Sequence, residues 1–329
     1  MKFNPMLPLR IFFFISVFIF QAGGVLALPT AKVGFGEQKT KSKKVRLFII
    51  GNSFSQNASK FLPQLAKEKG HDLLIGRAEL GGCSLQRHWE IVEAYEANPQ
   101  DPKGRQYAGK SLKMLLSEGE WDVVTIQQNS LNTTFLETFQ PYATNLYNYI
   151  KKLQPNAEVI LHQTWAYRTD AKGFGFVNKT DRAKTEKEMW EKSRANYHTI
   201  AQELGVRLFP VGDAFWQVSS SGKWAYRPEN LAYDFAKPVK PNLPNQKNSL
   251  HVGYLWQGKN LNFDPNHANQ AGEYLGSLIW YSVLFNESPS SLDFVPQEVP
   301  ADFAKYLRKV AKKEVQKSKN YSYKPNTAA

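Results

Sequence analysis

The chain has 329 residues, a length that fits one large α/β domain or two small ones. Its single cysteine, Cys83, excludes an intramolecular disulfide and a cysteine-based zinc site, so a hydrophobic core must supply the stability. The net charge of +13 would suit a nucleic-acid binder, but the excess of Lys and Arg lies near the two ends, and residues 47–304 are close to neutral. We therefore do not expect a nucleic-acid partner.

The first residues resemble a secretory signal peptide. Lys2 and Arg10 provide the positive region, an apolar run occupies residues 11–20, and small residues precede a cleavage site after Ala27. We predict a signal peptide over residues 1–27 and a basic linker over 28–44, which makes the mature protein secreted or periplasmic. The alternative is an uncleaved membrane anchor.

Apolar runs and helical patterns alternate from residue 45 onward. This alternation predicts a doubly wound parallel sheet in a three-layer α/β/α arrangement. Predicted strands cover residues 45–50, 71–80, 121–126, 158–164 and 206–211. A first helix is predicted to begin near Asn57. Further predicted helices cover residues 111–116, 142–153, 185–204 and 264 to about 284.

The domain predicted over residues 45–290 contains an insertion and is followed by a basic segment. Residues 217–263 have several prolines and no long apolar period, so we interpret them as an insertion with hairpin character. Residues 291–329 are predicted to be a basic C-terminal tail. Within it, residues 301–317 form a basic amphipathic helix that either packs on the body or stays loose in solvent. The basic ends could contact an anionic envelope, and a weaker hypothesis is a membrane-surface protein that uses them.

A serine follows the first predicted strand. The turn Gly51-Asn52-Ser53 joins that strand to a helix, and this arrangement presents a side chain at the carboxyl edge of a parallel sheet. Ser53 could be a nucleophile beside backbone N–H groups, or it could simply cap the helix. This stretch alone favours the cap.

Three later strand ends or turns carry groups that would complete an acyl-transfer site. Asp264 and His267 lie three residues apart, so the carboxylate can hold the imidazole while the imidazole faces Ser53. The N–H groups of Ser53 and Gly82 and the side-chain amide of Asn129 would then stabilise an oxyanion. Alternatively, Asp264 and the following proline could cap a helix, and Gly82 could be just a turn residue. The occurrence of both motifs in this order favours catalysis.

These residues resemble the motifs of the SGNH (GDSL-like) hydrolase superfamily, over about residues 45–285. The matching blocks are Gly51-Asn52-Ser53-Phe54-Ser55, Gly82, Asn129 and Asp264-Pro265-Asn266-His267. The serine block is most similar to that of a bacterial secreted subgroup. The resemblance implies a flavodoxin-like fold, esterase chemistry and no metal. In two places the chain departs from the usual pattern: Asn52 replaces Asp, and Gln127-Gln128-Asn129-Ser130 replaces Gly-x-Asn-Asp.

The second departure leaves open whether Asn129, Gln127 or Gln128 supplies the oxyanion amide. We also expect Asn52, Gln127, Gln128 and Trp165 to line the substrate site, as a weaker prediction. Cys83 could be a reactive thiol beside His88, although a small buried residue is the favoured interpretation.

The sequence thus predicts a secreted serine esterase that forms an acyl-enzyme and needs no cofactor. Its substrate would be a small-molecule or glycan ester. Removal of acetyl groups from a carbohydrate is the first choice, on the grounds of secretion and aromatic content, and a lipid or small acyl ester is the second. The alternative from another class is a non-catalytic envelope or glycan-binding protein that keeps the fold. Ser53 and His267 lying too far apart for a hydrogen bond would favour it. The oligomeric state is not predicted.

Overall fold

The computed structural model describes residues 41–174, 183–228, 233–321 and 323. The predicted signal peptide and most of the predicted linker lie outside the described residues. The secondary structure begins with β1, which is the second strand from one edge of a parallel sheet. Within the described residues this sheet has five strands: β1 Lys44–Gly51, β2 Asp72–Glu79, β3 Val123–Ile126, β4 Glu158–His162 and β5 Arg207–Phe209.

The strand order of the sheet is β2-β1-β3-β4-β5, and every neighbouring pair is parallel. This is the order of the flavodoxin-like doubly wound fold. The inner strands are apolar on both faces because helices cover both sides of the sheet. In β1, for example, Leu47 and Ile49 pack on one side while Phe48 and Ile50 pack on the other. The predicted three-layer α/β/α architecture is therefore confirmed.

The helices divide between the two faces of the sheet. Their bounds are α1 Ser53–Ala58, α2 Leu62–Glu68, α3 Leu85–Ala97, α4 Leu112–Leu116, α5 Tyr142–Leu153, α6 Glu186–Leu204, α7 Val211–Ser219, α8 Gln270–Phe285 and α9 Ala301–Ser318. The buried cluster on one face contains apolar side chains of α1, α2, α7, α8 and α9 and Met189 at the start of α6, and the cluster on the other face contains side chains of α3, α4, α5 and the end of α6.

The last helix of the sheet domain differs from its prediction. Helix α8 begins at Gln270, where Asn269 caps it by accepting the N–H groups of Ala271 and Gly272. The segment 264–267 does not open this helix. It lies on β7 Asn260–Ala268, which pairs antiparallel with β6 His251–Gln257. The hairpin character expected for the insertion is present, but the hairpin extends past residue 263 and includes the segment 264–267.

The chain after residue 290 is not simply a tail. Helix α9 packs on the body and buries Phe303, Leu307, Val310 and Ala311, which decides between the two possibilities that the sequence left open. Helices α3 and α7 are further differences, because the sequence pattern predicts no helix over residues 85–97 or 211–219. Among the described residues, no helix is both long enough and apolar enough to cross a membrane.

Helix α8 lies at the centre of its layer and is buried along almost its whole length. Its contact with α1 is close because Gly276 has no side chain. A Cβ atom at Gly276 would lie 2.8 Å from Cα of Ala58. The glycine therefore permits the approach of two helices, one beginning with Ser53 and the other following His267.

We predict that Gly276→Val lowers the free energy of unfolding by about 1–3 kcal/mol, because added methyl groups would push the two helices apart. Gly119→Val is the matched control, since a Cβ atom there meets no atom of the described residues within 4 Å. Urea unfolding of both variants measures the effect. Equal stabilities would contradict the proposed close packing.

Candidate active site

Ser53 lies where β1 passes directly into α1. Asn52 caps the helix: its side-chain oxygen accepts the N–H of Phe54, and Ser55 bonds back to the N–H of Asn52. Gly51 is required just before this turn because a Cβ atom would lie 2.4 Å from Oγ of Ser55. The cap therefore falls on Asn52, and the side chain of Ser53 is left for another partner.

The segment 264–267 is held in place by the carboxylate of Asp264 within it and by two residues that follow β4, Trp165 and Arg168. Oδ1 of Asp264 accepts the N–H groups of Asn266 and His267, at 3.2 and 3.0 Å. Trp165 donates its indole N–H to the carbonyl of Asn266 at 2.9 Å, and the N–H of Arg168 bonds the carbonyl of Pro265 at 2.8 Å. Side-chain and backbone bonds thus fix this turn against the sheet.

Arg168 also anchors the hairpin that carries this segment. Its buried guanidinium makes two hydrogen bonds to Asp170, at 2.7 and 2.9 Å, and one to Gln246, at 2.8 Å. It also lies 5.0 Å from the ring centre of Phe263 on β7. A buried charge is tolerated because it is paired and hydrogen-bonded. A Cβ atom at Gly253 on β6 would overlap this guanidinium.

Ser53, His267 and Asp264 form one hydrogen-bonded chain. Oγ of Ser53 lies 2.9 Å from Nε2 of His267, and Nδ1 of His267 lies 2.8 Å from Oδ2 of Asp264. The side chains of His267 and Asp264 are 37% and 27% exposed, so solvent and substrate can reach them. A serine, an imidazole and a carboxylate in this order have the geometry of a nucleophile, its base and the group that orients the base.

The interaction between His267 and Asp264 shifts the pKa values of both side chains. The hydrogen bond that His267 donates to Asp264 raises the pKa of His267 above its ordinary value, although burial lowers it. Burial would raise the pKa of Asp264, but hydrogen bonds from the side chain and N–H of His267 and from the N–H of Asn266 leave it below its ordinary value. Asp264 is thus kept ionised, and His267 is made a stronger base.

Ser53 and His267, two members of this hydrogen-bonded chain, line a cavity of about 350 Å³. Gly82 and Asn129, which were predicted to stabilise an oxyanion, line this cavity together with Ser53. Gly82 has φ +65°, a conformation that favours glycine. The amide of Asn129 is oriented on both sides: Oδ1 accepts the N–H of Asn132, and Nδ2 donates one hydrogen to the carbonyl of Gly82. Its second Nδ2 hydrogen is not used by these bonds.

The prediction that Gln127, Gln128 and Trp165 line the substrate site is wrong. All three are buried, and none of them lines the cavity. Both polar ends of the Gln128 amide are occupied, since it accepts the N–H of Leu85 and donates to the carbonyl of Thr138. Trp165 packs its ring against Phe54 and Phe215, which explains its burial. The fourth predicted lining residue, Asn52, does border the cavity.

Five further residues line the cavity that were not among the predicted site residues. They are Phe54, Ser130, Leu131, Tyr167 and Asn266. The hydroxyl groups of Tyr167 and Ser130 lie 2.9 Å apart, and Leu131 is 45% exposed. Ser130 and Leu131 follow Asn129 directly, so proximity to the predicted oxyanion residue was the available signal for them.

Cys83 has the environment of a buried structural residue. Burial raises the pKa of its thiol to about 12. His88 is fully engaged, with Nδ1 at 2.7 Å from the hydroxyl of Tyr107 and Nε2 at 3.1 Å from the carbonyl of Gly51. Burial also lowers the pKa of His88 to about 4. Within the described part of the chain, no group of three or more His, Cys, Asp or Glu side chains could hold a metal ion.

Comparison with known proteins identifies the family. Residues 46–216 match the family described as "Domain of unknown function (DUF4886)". The chain belongs to the DUF4886 family. A crystal structure of a DUF4886 family protein from Bacteroides uniformis ATCC 8492 is 21% identical with a TM-score of 0.62, and the match covers 86% of this chain and 97% of that one. This likeness shows a shared fold.

Two other solved structures are less similar to this DUF4886 protein. One is titled as a candidate SGNH hydrolase from Slackia heliotrinireducens, with 17% identity, a TM-score of 0.43 and coverage of 73% and 98%. The other is titled as a candidate GDSL-like lipase from Parabacteroides merdae ATCC 43184, with 11% identity, a TM-score of 0.42 and coverage of 75% and 98%. Likenesses this distant carry no argument about function. No curated protein matches the chain.

We predict that Asp264→Asn lowers the pKa of His267 in this DUF4886 protein, because the variant removes the negative charge that stabilises the imidazolium. NMR titration of the imidazole measures the shift without requiring activity. Asp122→Asn, at the amino end of β3 on the opposite edge of the sheet, should leave the pKa of His267 unchanged. A raised or unaltered pKa in Asp264→Asn would contradict the assigned pairing.

Proposed function

We propose that this DUF4886 protein is a serine ester hydrolase. The observation that carries the proposal is the hydrogen-bonded chain from Ser53 through His267 to Asp264 at the wall of an open cavity. Its supporting motifs resemble those of SGNH hydrolases in type and in order along the chain. This geometry supports the proposal, whereas the description of the family assigns no function.

In the proposed reaction, Oγ of Ser53 attacks the ester carbonyl carbon while Nε2 of His267 takes the hydroxyl proton. The carbonyl becomes a tetrahedral oxyanion, and the positive charge on His267 is stabilised by Asp264. The C–O bond to the alcohol then breaks, and His267 gives its proton to the leaving oxygen. Water attacks the acyl-serine with His267 again as base, which releases the acid and restores Ser53.

The oxyanion would accept hydrogen bonds from the N–H groups of Ser53 and Gly82 and from Nδ2 of Asn129. Among the amides in question, Asn129 is favoured over Gln127 and Gln128 because it lines the cavity, whereas the two glutamines are buried with their polar atoms paired. Donors held in place before the reaction stabilise the developing charge without a cost of reorganisation.

For the substrate, we propose the ester of a small acyl group, with removal of acetyl from a carbohydrate as the first choice. A cavity of about 350 Å³ is at the small end of ligand sites, and it mixes apolar walls from Phe54 and Leu131 with amides from Asn129 and Asn266. The second choice is a lipid or another small acyl ester. Secretion after removal of residues 1–27 is part of the proposal, as is contact of the basic ends with an anionic envelope.

The alternative function, a non-catalytic envelope or glycan-binding protein, would be favoured if Ser53 and His267 lay out of hydrogen-bonding reach. The distance of 2.9 Å between Oγ and Nε2 does not meet that condition. The catalytic proposal is therefore preferred.

We predict that Ser53→Ala lowers kcat/KM for p-nitrophenyl acetate by at least about 10³-fold, since the nucleophile is lost. Ser220→Ala is the control and should behave as wild type, because Ser220 is an exposed residue at the C-cap of α7. A colorimetric assay of the mature protein measures both. Equal rates for Ser53→Ala and wild type would contradict the proposed function.

A second prediction concerns the oxyanion. Asn129→Ala should lower kcat by about 10²- to 10³-fold with little change in KM, because a donor to the transition state is removed. Asn132→Ala is the control, since the contact of Asn132 with Asn129 is made by its backbone N–H. Wild-type kcat in Asn129→Ala would remove the residue from the oxyanion site.

A further inference from the structure

Four neighbouring strands of the sheet end in groups that are hydrogen-bonded to one another in the order of the strands. Nδ2 of Asn52, after β1, donates to the carbonyl of Cys83, after β2, at 2.9 Å. Nε2 of Gln127, after β3, donates to Oδ1 of Asn52 at 2.6 Å. Nδ1 of His162, at the end of β4, lies 2.6 Å from Oε1 of Gln127. We infer that Gln127 and His162 are positioning residues that hold Asn52, and through it Ser53, in the geometry needed for ester hydrolysis.

Backbone groups fix the orientation of the Asn52 amide. The carbonyl of Cys83 can only accept, so Asn52 must present its NH₂ group there. The N–H of Phe54 can only donate, so it must face the oxygen of Asn52, and the distance is 3.0 Å. A flipped Asn52 would face each backbone group with the wrong partner.

The orientation of the Asn52 amide determines the orientations of Gln127 and His162. Because Oδ1 of Asn52 is an acceptor, Gln127 must direct its NH₂ group toward it and its oxygen toward His162. His162 must therefore carry its proton on Nδ1 in order to donate to that oxygen. His162 is completely buried, and burial lowers its pKa to about 3, so it is neutral at ordinary pH. Among the residues that the structure describes, none is a hydrogen-bond partner for its Nε2 atom.

We call this series of hydrogen bonds, from Cys83 through Asn52 and Gln127 to His162, the relay. It links the two turns that supply backbone donors to the oxyanion. Asn52 directly precedes Ser53, and Cys83 directly follows Gly82, so the bond between Asn52 and Cys83 ties the two turns together. The approach of Gln127 to the serine turn depends on Gly51, because a Cβ atom there would lie 3.2 Å from Cδ of Gln127. A displacement of about 1 Å at such a site can cost about 10²-fold in rate.

The inference rests on the proposed function, and its first test compares two glutamines at neighbouring strand ends. We expect Gln127→Leu to lower kcat for p-nitrophenyl acetate by about 10²-fold with KM unchanged within about twofold. Gln163→Leu is the matched control. Gln163 is equally buried and lies one strand further along the same edge, but its amide bonds Asp213 instead of Asn52. Gln163→Leu should keep kcat within about threefold of wild type.

The second test uses conservative replacement of the histidine. His162→Asn can keep a donor near the position of Nδ1, whereas His162→Leu cannot. We expect kcat of His162→Asn to stay within about tenfold of wild type and that of His162→Leu to fall about as far as that of Gln127→Leu. Thermal unfolding of each variant separates this effect from loss of the fold, since kcat is compared at temperatures where each variant is folded. Equal kcat values for the two His162 variants would overturn the inference.

A third measurement does not depend on activity. The ¹⁵N shifts of the His162 imidazole in the wild-type protein should show a neutral ring protonated on Nδ1, and a ring protonated on Nε2 would contradict the relay. If wild type and Ser53→Ala hydrolyse esters equally, the proposed function fails, whatever the tautomer. If wild type is active and Gln127→Leu has the same kcat as Gln163→Leu, the positioning inference alone fails.

Discussion

The candidate site depends on one hydrogen bond between residues 214 positions apart, from Oγ of Ser53 to Nε2 of His267. Contacts between α1 and α8 bring these two parts of the chain together. The hydroxyl of Ser277 on α8 donates to the carbonyl of Ala58 and accepts the N–H of Phe61, at 2.9 and 3.0 Å. The side chain of Ser277 therefore ties α8 to backbone groups at and just after the end of α1, in addition to the close packing. Ser53 begins α1, and His267 lies three residues before the start of α8.

Buried polar groups around the site would destabilise the fold if they were left unpaired, at about 1–3 kcal/mol for each group. The structure avoids most of this cost by pairing them with one another. Arg168 is matched by Asp170 and Gln246, and Gln127 lies between Asn52 and His162. Such networks fix the orientation of each member because every donor must meet an acceptor. The same bonds that satisfy buried groups therefore also give the serine turn and the hairpin defined positions.

Some of this could be predicted from the sequence because it depends on local patterns. The apolar run before Gly51 predicts a buried strand, and the turn after it places Ser53 at the carboxyl edge of the sheet. Which side chains reach the cavity after the later strands could not be predicted in the same way, because consecutive residues there point in different directions. Gln127 turns into the protein while Asn129 reaches the cavity, and only the packing of neighbouring strands decides between them. Trp165 illustrates the same limit, since its burial depends on two aromatic rings from distant helices.

The environment of each histidine determines which of them can act as a base. Burial lowers the pKa of His88, His162 and His251 to about 4, 3 and 4, so these rings are neutral hydrogen-bonding groups at ordinary pH. His267 is half-buried and faces a carboxylate, which raises its pKa instead. A general base is most effective when its pKa lies near the working pH, and a ring with a pKa of 3 or 4 is too weak a base for this role. Solvent access and one charged partner thus separate the candidate catalytic imidazole from those that only support the fold.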